Sequence, residues 1–349
     1  MNRRMAIRRF PANVANLCAA ALLALAVVVA SGSVALAAPA GRITVYSGRS
    51  QALVGPIVEE FTKQTGIEVA VRYGDTAALA ATILEEGNNS PADVFWAQDA
   101  GALGALAKAS RLERLPAEIL NLVDERLRSP EGVWVATSGR ARVVAYNTSA
   151  LSEADLPDTI WGFTDPKWSG RIGWAPTNAS FQAFVTAIRV LEGEQRAAEW
   201  LRGIQANRPR VYSNNSAAVE AVSRREVDVA FVNHYYLYQF LRERGDAFPV
   251  RNYYTKGDPG AIINVAGLGI LRTSRNKDAA QRFVEFMLSR EAQQYFARQT
   301  FEYPVIDDPS IELDPRLLPL EAIQAPELDL SRLDDLEGTL ELLQRVGVL

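Results

Sequence analysis

Two adjacent tyrosines, Tyr235 and Tyr236, carry the most distinctive chemistry of the chain, and they directly follow an apolar run at residues 228–233. That run is rich in Val and Phe, which is typical of a central parallel strand covered on both faces. Open α/β sheets place their ligands at the carboxyl ends of such strands. Neighbouring side chains of a regular helix diverge by about 100°, so both phenols can face one ligand only at a strand-to-helix turn. The sequence predicts such a turn here.

A phenol has a pKa of about 10 and binds a metal as phenolate only where the metal's charge stabilises the anion. Ferric iron meets that requirement better than calcium or magnesium, whose usual partners are carboxylates and carbonyls. The alternative is aromatic packing at the top of a core, with solvated hydroxyl groups, and the pair alone leaves both interpretations open. His234 is the only histidine, which excludes a multi-histidine centre, and it lies on the opposite side of an extended backbone from Tyr235.

Strand and helix patterns alternate from Arg42 onward, which predicts an α/β fold built from βαβ units. The predicted strands are 43–47, 67–73, 91–98, 133–136, 141–146, 170–174, 211–213, 228–233, 250–254 and 262–271. The predicted helices are 51–65, 76–86, 100–109, 181–191, 194–206, 217–225, 278–288 and 292–299, with a carboxyl-terminal cap over 328–346. Extended crossings between two such sets predict two doubly wound lobes joined by a hinge, with a cleft between them. Lobe 1 comprises residues 38–138 and 266–349, and lobe 2 comprises residues 139–265.

Polar side chains from several predicted strand ends and helix starts converge on that cleft. Helix N-termini present free amide protons and partial positive charge, so residues 177–180 suit an anion, which would offset the charge of a trivalent cation. An arginine beside the cleft, such as Arg49, can hold a carbonate or carboxylate. Each Asn or Ser taken alone is typical of an ordinary helix cap. The candidates are Tyr46, Arg49, Ser50, Gln98, Asp99, Arg140 or Arg142, Asn178, Ala179, Ser180, Asn215 and Asn233.

The first 37 residues have the pattern of a secretory signal peptide: a basic start, an apolar stretch and a small-residue cleavage site at residues 35–37. Removing them leaves 33 basic and 41 acidic residues, a net charge of −8, which disfavours nucleic acid as a partner. The single cysteine, Cys18, leaves with this segment, so the mature chain has neither disulfides nor Cys-ligated zinc. The apolar stretch is shorter than the roughly 20 residues that a membrane span requires.

Catalysis has little support in the sequence. The chain contains no G-x-S-x-G elbow, no G-x-G-x-x-G loop, no P-loop and no H-E-x-x-H motif. Its one imidazole has no nucleophilic cysteine to activate, and its acidic residues are scattered. The sequence therefore predicts a binding protein rather than an enzyme.

Five segments resemble the periplasmic ferric-iron-binding proteins of ABC transporters, which have the transferrin-like type II periplasmic-binding fold. They are Val45-Tyr-Ser-Gly-Arg49, Pro91-Ala-Asp-Val-Phe95, Gly173-Trp-Ala-Pro-Thr177, Asn233-His-Tyr-Tyr236 and Tyr303-Pro-Val. The similarity covers nearly all of the mature chain, and the tyrosine pair after a strand is its most specific element. It implies a periplasmic monomer that captures Fe(III) in the cleft, closes, and delivers it to an ABC transporter permease in the inner membrane.

The resemblance also implies roles for individual residues. Tyr235 and Tyr236 become the paired phenolate ligands, with Tyr46 and Gln98 as further candidates for the metal. Many members have His at the position of Ser50 and Glu at that of Gln98, so the loss of both ionisable ligands implies more coordination by carbonate, phosphate or water. The implied anion site consists of Arg49, Ser50, Arg140, Arg142, Asn178, Ala179, Ser180, Asn215 and Asn233. The competing hypothesis is a phosphonate or organic-anion receptor of the same fold that uses no metal.

Overall fold

The computed structural model describes residues 41–349; the predicted signal peptide at residues 1–37 lies outside the described residues. The strands are β1 (Arg42–Ser47), β2 (Glu68–Tyr73), β3 (Val94–Ala97), β4 (Val135–Asn147), β5 (Ile172–Trp174), β6 (Arg210–Val211), β7 (Val229–Asn233), β8 (Val250–Tyr253) and β9 (Ile263–Ile270). The α-helices are α1 (Gln51–Thr65), α2 (Thr76–Glu86), α3 (Ala100–Lys108), α4 (Ala117–Leu120), α5 (Ala179–Glu192), α6 (Glu194–Ala206), α7 (Asn215–Ser223), α8 (Tyr235–Arg244), α9 (Lys277–Met287), α10 (Arg290–Tyr295) and α11 (Leu336–Arg345). No helix within residues 41–349 is long and apolar enough to cross a membrane.

The strands follow the order β2-β1-β3-β9-β4-β7-β5-β6, with β8 paired to β4. β1 is parallel to both β2 and β3, and β5 is parallel to β6 and β7. β9 runs antiparallel to β3 and β4. Parallel strands that alternate with helices confirm the predicted α/β class.

β4 corrects the prediction of two separate extended runs with a turn over residues 138–140. It is one continuous strand with a bulge between Ala136 and Ser138. Its first part, up to Ala141, pairs with β9, and its second part pairs with β7 and β8. The strand therefore belongs to both halves of the sheet and passes through the region where arginines of the candidate site lie.

β7, the strand before the tyrosine pair, is fully buried, as predicted. Phe231 packs against Phe163 and Trp200, with ring centroids 5.5 Å and 5.4 Å apart. The predicted central parallel arrangement is correct on one side only, because β7 is parallel to β5 but antiparallel to β4. The strand still ends at Asn233, so its carboxyl end delivers the next residues to the same edge as that of β5, whereas β1 and β3 run in the opposite direction.

Side chains cap the helices that begin at this edge. Asn178 accepts a hydrogen bond from the Ser180 amide at the start of α5, and Asn214 accepts one from the Ala217 amide at the start of α7. Such caps satisfy amide protons that have no partner within the helix. They fix the polar ends of α5 and α7 beside the start of α8.

The carboxyl-terminal segment contacts elements from both halves of the sheet. The turn Leu330–Leu333 packs on α3 and α5, and α11 packs on the same two helices. The hydroxyl groups of Thr186 and Thr339 lie 2.7 Å apart and are buried. Residues 330–345 therefore connect α3 and α5.

Candidate functional site

The predicted strand-to-helix turn is present at the tyrosine pair. His234 adopts helical backbone angles directly after β7, and α8 begins at Tyr235. The ring centroids of Tyr235 and Tyr236 are 4.4 Å apart, with 35° between the ring planes. Tyr235 is fully buried, and Asn233 Nδ2 donates to its hydroxyl over 3.4 Å. Both phenols therefore lie on the same side of the turn.

Burial raises the pKa of Tyr236 well above its ordinary value of 10, and the neighbouring Tyr235 raises it further. The positive charge of Arg49 acts in the opposite direction but does not reverse the shift. The phenol is consequently protonated near neutral pH in the absence of a bound cation. Forming the phenolate requires additional positive charge, which a metal cation supplies.

Tyr236 lines a cavity of about 490 Å³ together with residues from both predicted lobes. The other lining residues are Gly48, Arg49, Ser50, Gln51, Leu53, Tyr73, Gly74, Asp75, Gln98, Asn178, Asn214 and Ser216. Four predicted site residues, Arg49, Ser50, Gln98 and Asn178, therefore meet one phenol of the pair in a single cavity. Gln98 and Ser50 enter it as neutral side chains.

Three arginines are buried near the pair: Arg49, Arg140 and Arg142. Arg142 Nη1 donates to Asn233 Oδ1 over 3.0 Å and to Ser180 Oγ over 3.4 Å. Within residues 41–349, five of their guanidinium nitrogens have no hydrogen-bond partner: Nε and Nη1 of Arg49, Nη1 and Nη2 of Arg140, and Nη2 of Arg142. Buried donors without a partner cost about 1–3 kcal/mol each, so this cluster of donors suits an anionic ligand.

Two buried carboxylates face these arginines. Glu302 accepts a hydrogen bond from Arg49 at 2.5 Å. Burial by itself lowers the pKa of Arg49, but the charge of Glu302 raises it above its ordinary value. Asp99 interacts electrostatically with Arg140, although burial raises the pKa of this carboxyl.

The remaining guanidinium, Arg142, has no acidic partner among the described residues. Burial, followed by repulsion from Arg140, lowers its pKa to about 9. Burial likewise lowers the pKa of Arg140. A nearby anion would relieve the electrostatic cost of both cations.

A polar network joins the starts of α5 and α7. Asn178 Oδ1 accepts from Ser180 Oγ at 2.5 Å and from Asn215 Nδ2 at 3.2 Å. Asn215 Nδ2 also lies 3.2 Å from Ser180 Oγ, while Asn215 Oδ1 has no partner within residues 41–349. Ala179, the first residue of α5, is buried beside this network. The structure thus brings Asn178, Ala179, Ser180, Asn215 and Asn233 together with Arg142, as the sequence predicts.

Tyr46 lies apart from this group, which corrects its prediction as a metal ligand. Its hydroxyl donates to Glu86 Oε1 at 2.9 Å and accepts from Arg72 at 3.2 Å. Successive side chains of a strand point to opposite faces, so Ser47 faces the turn at Arg49 whereas Tyr46 faces α2. We therefore exclude Tyr46 from the candidate site.

His234 has no nitrogen free to bind a metal. Its Nδ1 accepts from the Ala141 amide at 3.1 Å, and its Nε2 lies 2.8 Å from the Phe301 carbonyl oxygen, to which it donates. Burial lowers the pKa of His234 to about 3. The ring is a neutral structural element that holds the turn before the tyrosines.

We expect the ligand-free protein to lose about 2 kcal/mol of unfolding free energy between pH 7.5 and pH 5 because of His234. The folded-state pKa is about 3, whereas an unfolded histidine has a pKa of about 6.5. The unfolded chain therefore binds the extra proton, and stability falls as the pH drops through 6.5. Urea unfolding at both pH values measures this loss.

A His234→Gln variant provides the control, because it lacks the titrating group and should show a much smaller loss over the same pH range. His234 is the only histidine, so the measurement requires protein without a histidine tag. A wild-type slope as small as that of the variant would contradict the prediction.

Sequence reasoning missed Glu302, as well as the cavity-lining residues Tyr73, Asp75, Asn214 and Ser216. The partner of Glu302, Arg49, is 253 residues away in sequence, and no local pattern indicates this contact. The only sequence signal is that Glu302 directly precedes Tyr303-Pro-Val, one of the segments that carry the family resemblance.

Within residues 41–349, no group of three or more His, Cys, Asp or Glu side chains is placed to hold a metal ion.

A model of the bacterial extracellular solute-binding proteins matches residues 83–330. The chain is 38% identical over 317 residues to the major ferric iron-binding protein of Neisseria meningitidis, covering 88% of this chain and 93% of that relative. The chain belongs to the periplasmic ferric-iron-binding protein family.

Further members support the assignment and confirm the predicted family and fold. The Fe(3+)-binding periplasmic protein of Serratia marcescens is 33% identical, over 94% of this chain and 97% of its own length. The crystal structure of iron-bound HitA from Pseudomonas aeruginosa superposes with a TM-score of 0.83 at 37% identity, covering 88% of this chain and 99% of HitA. The predicted lobe boundaries remain a prediction.

Proposed function

We propose that this protein captures Fe(III) with Tyr235 and Tyr236, together with a small anion held by Arg140, Arg142 and the adjoining polar residues. The observation that carries the proposal is the close pair of phenols beside three buried guanidinium groups. Phenolate oxygen is a hard, anionic donor that suits a trivalent cation. The names of the relatives above describe the same cargo.

The charges of the site favour a dianion as the companion of iron. Fe(III) bound to two phenolates keeps one positive charge. Among the buried groups, Glu302 offsets Arg49, and Asp99 offsets Arg140 when ionised, which leaves the charge of Arg142; the carboxylate of Asp75, which also lines the cavity, is exposed to solvent. Carbonate or hydrogen phosphate would neutralise the remaining two charges, and its oxygens would accept from the guanidinium donors that have no partner within residues 41–349.

Ser50 and Gln98 add no charge to the coordination shell, although both line the cavity. The anion and water would therefore supply the ligands that two phenolates leave open. The relatives' names indicate a periplasmic protein of iron uptake. We accordingly place this chain in the periplasm as a monomeric, non-enzymatic carrier that delivers iron to an ABC permease.

Titration of the iron-free protein with a ferric salt in bicarbonate buffer tests the proposal. We expect a visible phenolate-to-iron charge-transfer band that saturates at one iron per protein. A protein that stays colourless under these conditions would contradict iron capture.

An organic-anion receptor without metal is the second candidate, and the five guanidinium nitrogens without a partner within residues 41–349 favour it. Calorimetric titration with a phosphonate in metal-free buffer separates the two functions. Tight phosphonate binding by a colourless protein supports the second candidate, whereas weak binding beside a strong iron band supports the first.

A further inference from the structure

Glu302 is a fully buried carboxylate held by three side chains. Its Oε2 accepts from Arg49 Nη2 at 2.5 Å and from Thr300 Oγ1 at 2.8 Å, and its Oε1 accepts from Ser138 Oγ at 2.9 Å. A carboxylate removed from water costs several kcal/mol unless such partners compensate it. Its orientation is therefore fixed by these contacts.

Only one nitrogen of the Arg49 guanidinium has a hydrogen-bond partner among the described residues. Nη2 bonds to Glu302, whereas Nε and Nη1 have no partner among the described residues. The guanidinium carbon lies 5.9 Å from the centroid of the Tyr235 ring, and Arg49 also lines the cavity beside Tyr236. The contact with Glu302 thus determines where the charge of Arg49 lies relative to the phenols.

The chain around Glu302 also contacts the turn that carries the tyrosines. The Phe301 carbonyl accepts from His234, the residue before the pair. Phe301 has a φ of +59°, a left-handed conformation that costs a non-glycine residue about 1–3 kcal/mol. Tyr303 pairs with Gly139 of β4 through two backbone hydrogen bonds of 2.7 Å and 2.9 Å. Residues 301–303 are therefore connected both to β4 and to the start of α8.

We propose that Glu302 is a positioning residue of the ferric site, which holds the Arg49 guanidinium where it stabilises the phenolate pair and the bound anion. The inference rests on the proposed function. Glu302 itself does not line the cavity, so it acts on the iron only through Arg49.

The sign of a pH shift distinguishes positioning from a simple charge effect. The charged or titratable groups that face the site are Tyr235, Tyr236, Arg49, Arg140, Arg142 and Asp99, with Tyr73 and Asp75 lining the cavity beside them. If Glu302 acted only by its own negative charge, neutralising it would favour phenolate formation and lower the pH of half-maximal iron loading. If it positions Arg49, neutralising it misplaces a positive charge and raises that pH.

The test compares Arg49→Gln, Glu302→Gln and the double variant by iron competition against citrate and by the pH of half-maximal loading. We expect each single variant to bind iron about tenfold more weakly and to load about half a pH unit higher. The double variant should match Arg49→Gln within about threefold, because both changes remove the same interaction. The matched control is Asp228→Asn, which breaks the Arg171–Asp228 pair of 2.5 Å and should leave iron loading unchanged.

Glu302→Gln leaves a buried guanidinium without its counter-charge and can fail to fold. In that case Ser138→Ala, which removes one hydrogen bond to Glu302, and the double variant, which lacks both charges, decide the question. Additive losses in the double variant, or a downward pH shift in Glu302→Gln or Ser138→Ala, would overturn the inference. Wild-type protein without a charge-transfer band would instead overturn the proposed function, and the positioning role with it.

Discussion

Replacing either Tyr235 or Tyr236 by phenylalanine is expected to weaken ferric binding by about 1,000-fold, equivalent to about 4 kcal/mol, and to bleach most of the visible band. Each variant loses one of the two adjacent anionic ligands, and Ser50 and Gln98, which line the same cavity, are neutral and cannot replace its charge. Competition with citrate, followed by absorbance, measures the loss.

The same variants should unfold at nearly the wild-type urea concentration in the iron-free state. The Tyr235 ring remains buried, the Tyr236 ring remains half-buried, and the two keep their contact, because the substitution removes only the hydroxyl oxygen. Tyr253→Phe is the matched control, since its hydroxyl contacts Asp158 outside the cavity. Iron affinity within tenfold of wild type in both variants would show that the phenols are packing residues rather than ligands.

Several helices could be predicted to the residue because their signals are local. α1, α2 and α6 have the predicted bounds 51–65, 76–86 and 194–206. α1, for example, begins after an extended Ser50 and ends at Thr65, directly before Gly66, whose φ is +72°. Glycine adopts this left-handed angle without strain and commonly ends a helix. Periodicity and such stop signals are contained in a short stretch of chain.

β4 and β7 show where local patterns fail. Ser138-Gly139-Arg140 has the composition of a turn, yet β9 on one side and Tyr303 on another hold it extended within β4. The direction of β4 relative to β7 is likewise set by the path of the chain between them. Neither fact is contained in the residues of the strands themselves.

The residues of the candidate site likewise fall into a group that local patterns predict and a group that depends on distant contacts. Its strand-end and helix-start residues were predictable, because the parallel strands within each half of the sheet bring their carboxyl ends to one edge. The prediction that Tyr46 binds the metal was wrong. Successive residues of a strand point to opposite faces, so the hydroxyl of Tyr46 lies beside Glu86 on the face away from the site. Glu302 could not be predicted, because its role depends on a contact across most of the chain.

Replacing Arg142 by glutamine is expected to abolish most of the effect of the anion on iron binding. In wild-type protein we expect bicarbonate or phosphate to strengthen iron binding by about 100-fold, equivalent to about 2.7 kcal/mol. Arg142 is the guanidinium without an acidic partner among the described residues, and its pKa is lowered to about 9 by burial and by Arg140. An anion that offsets this charge gains more here than at an exposed arginine.

The measurement is an iron titration against citrate with and without added anion, in buffer freed of carbonate. Arg142→Gln should bind iron with nearly the same affinity under both conditions, because Ser180 and Asn233 remain but the charge is gone. Arg196→Gln serves as the control, since this arginine lies over the Trp161 ring on the surface. Because both variants lose one positive charge, a difference between them isolates the position of the charge from its contribution to the net charge. An equal anion effect in the two variants would assign the anion to another part of the site.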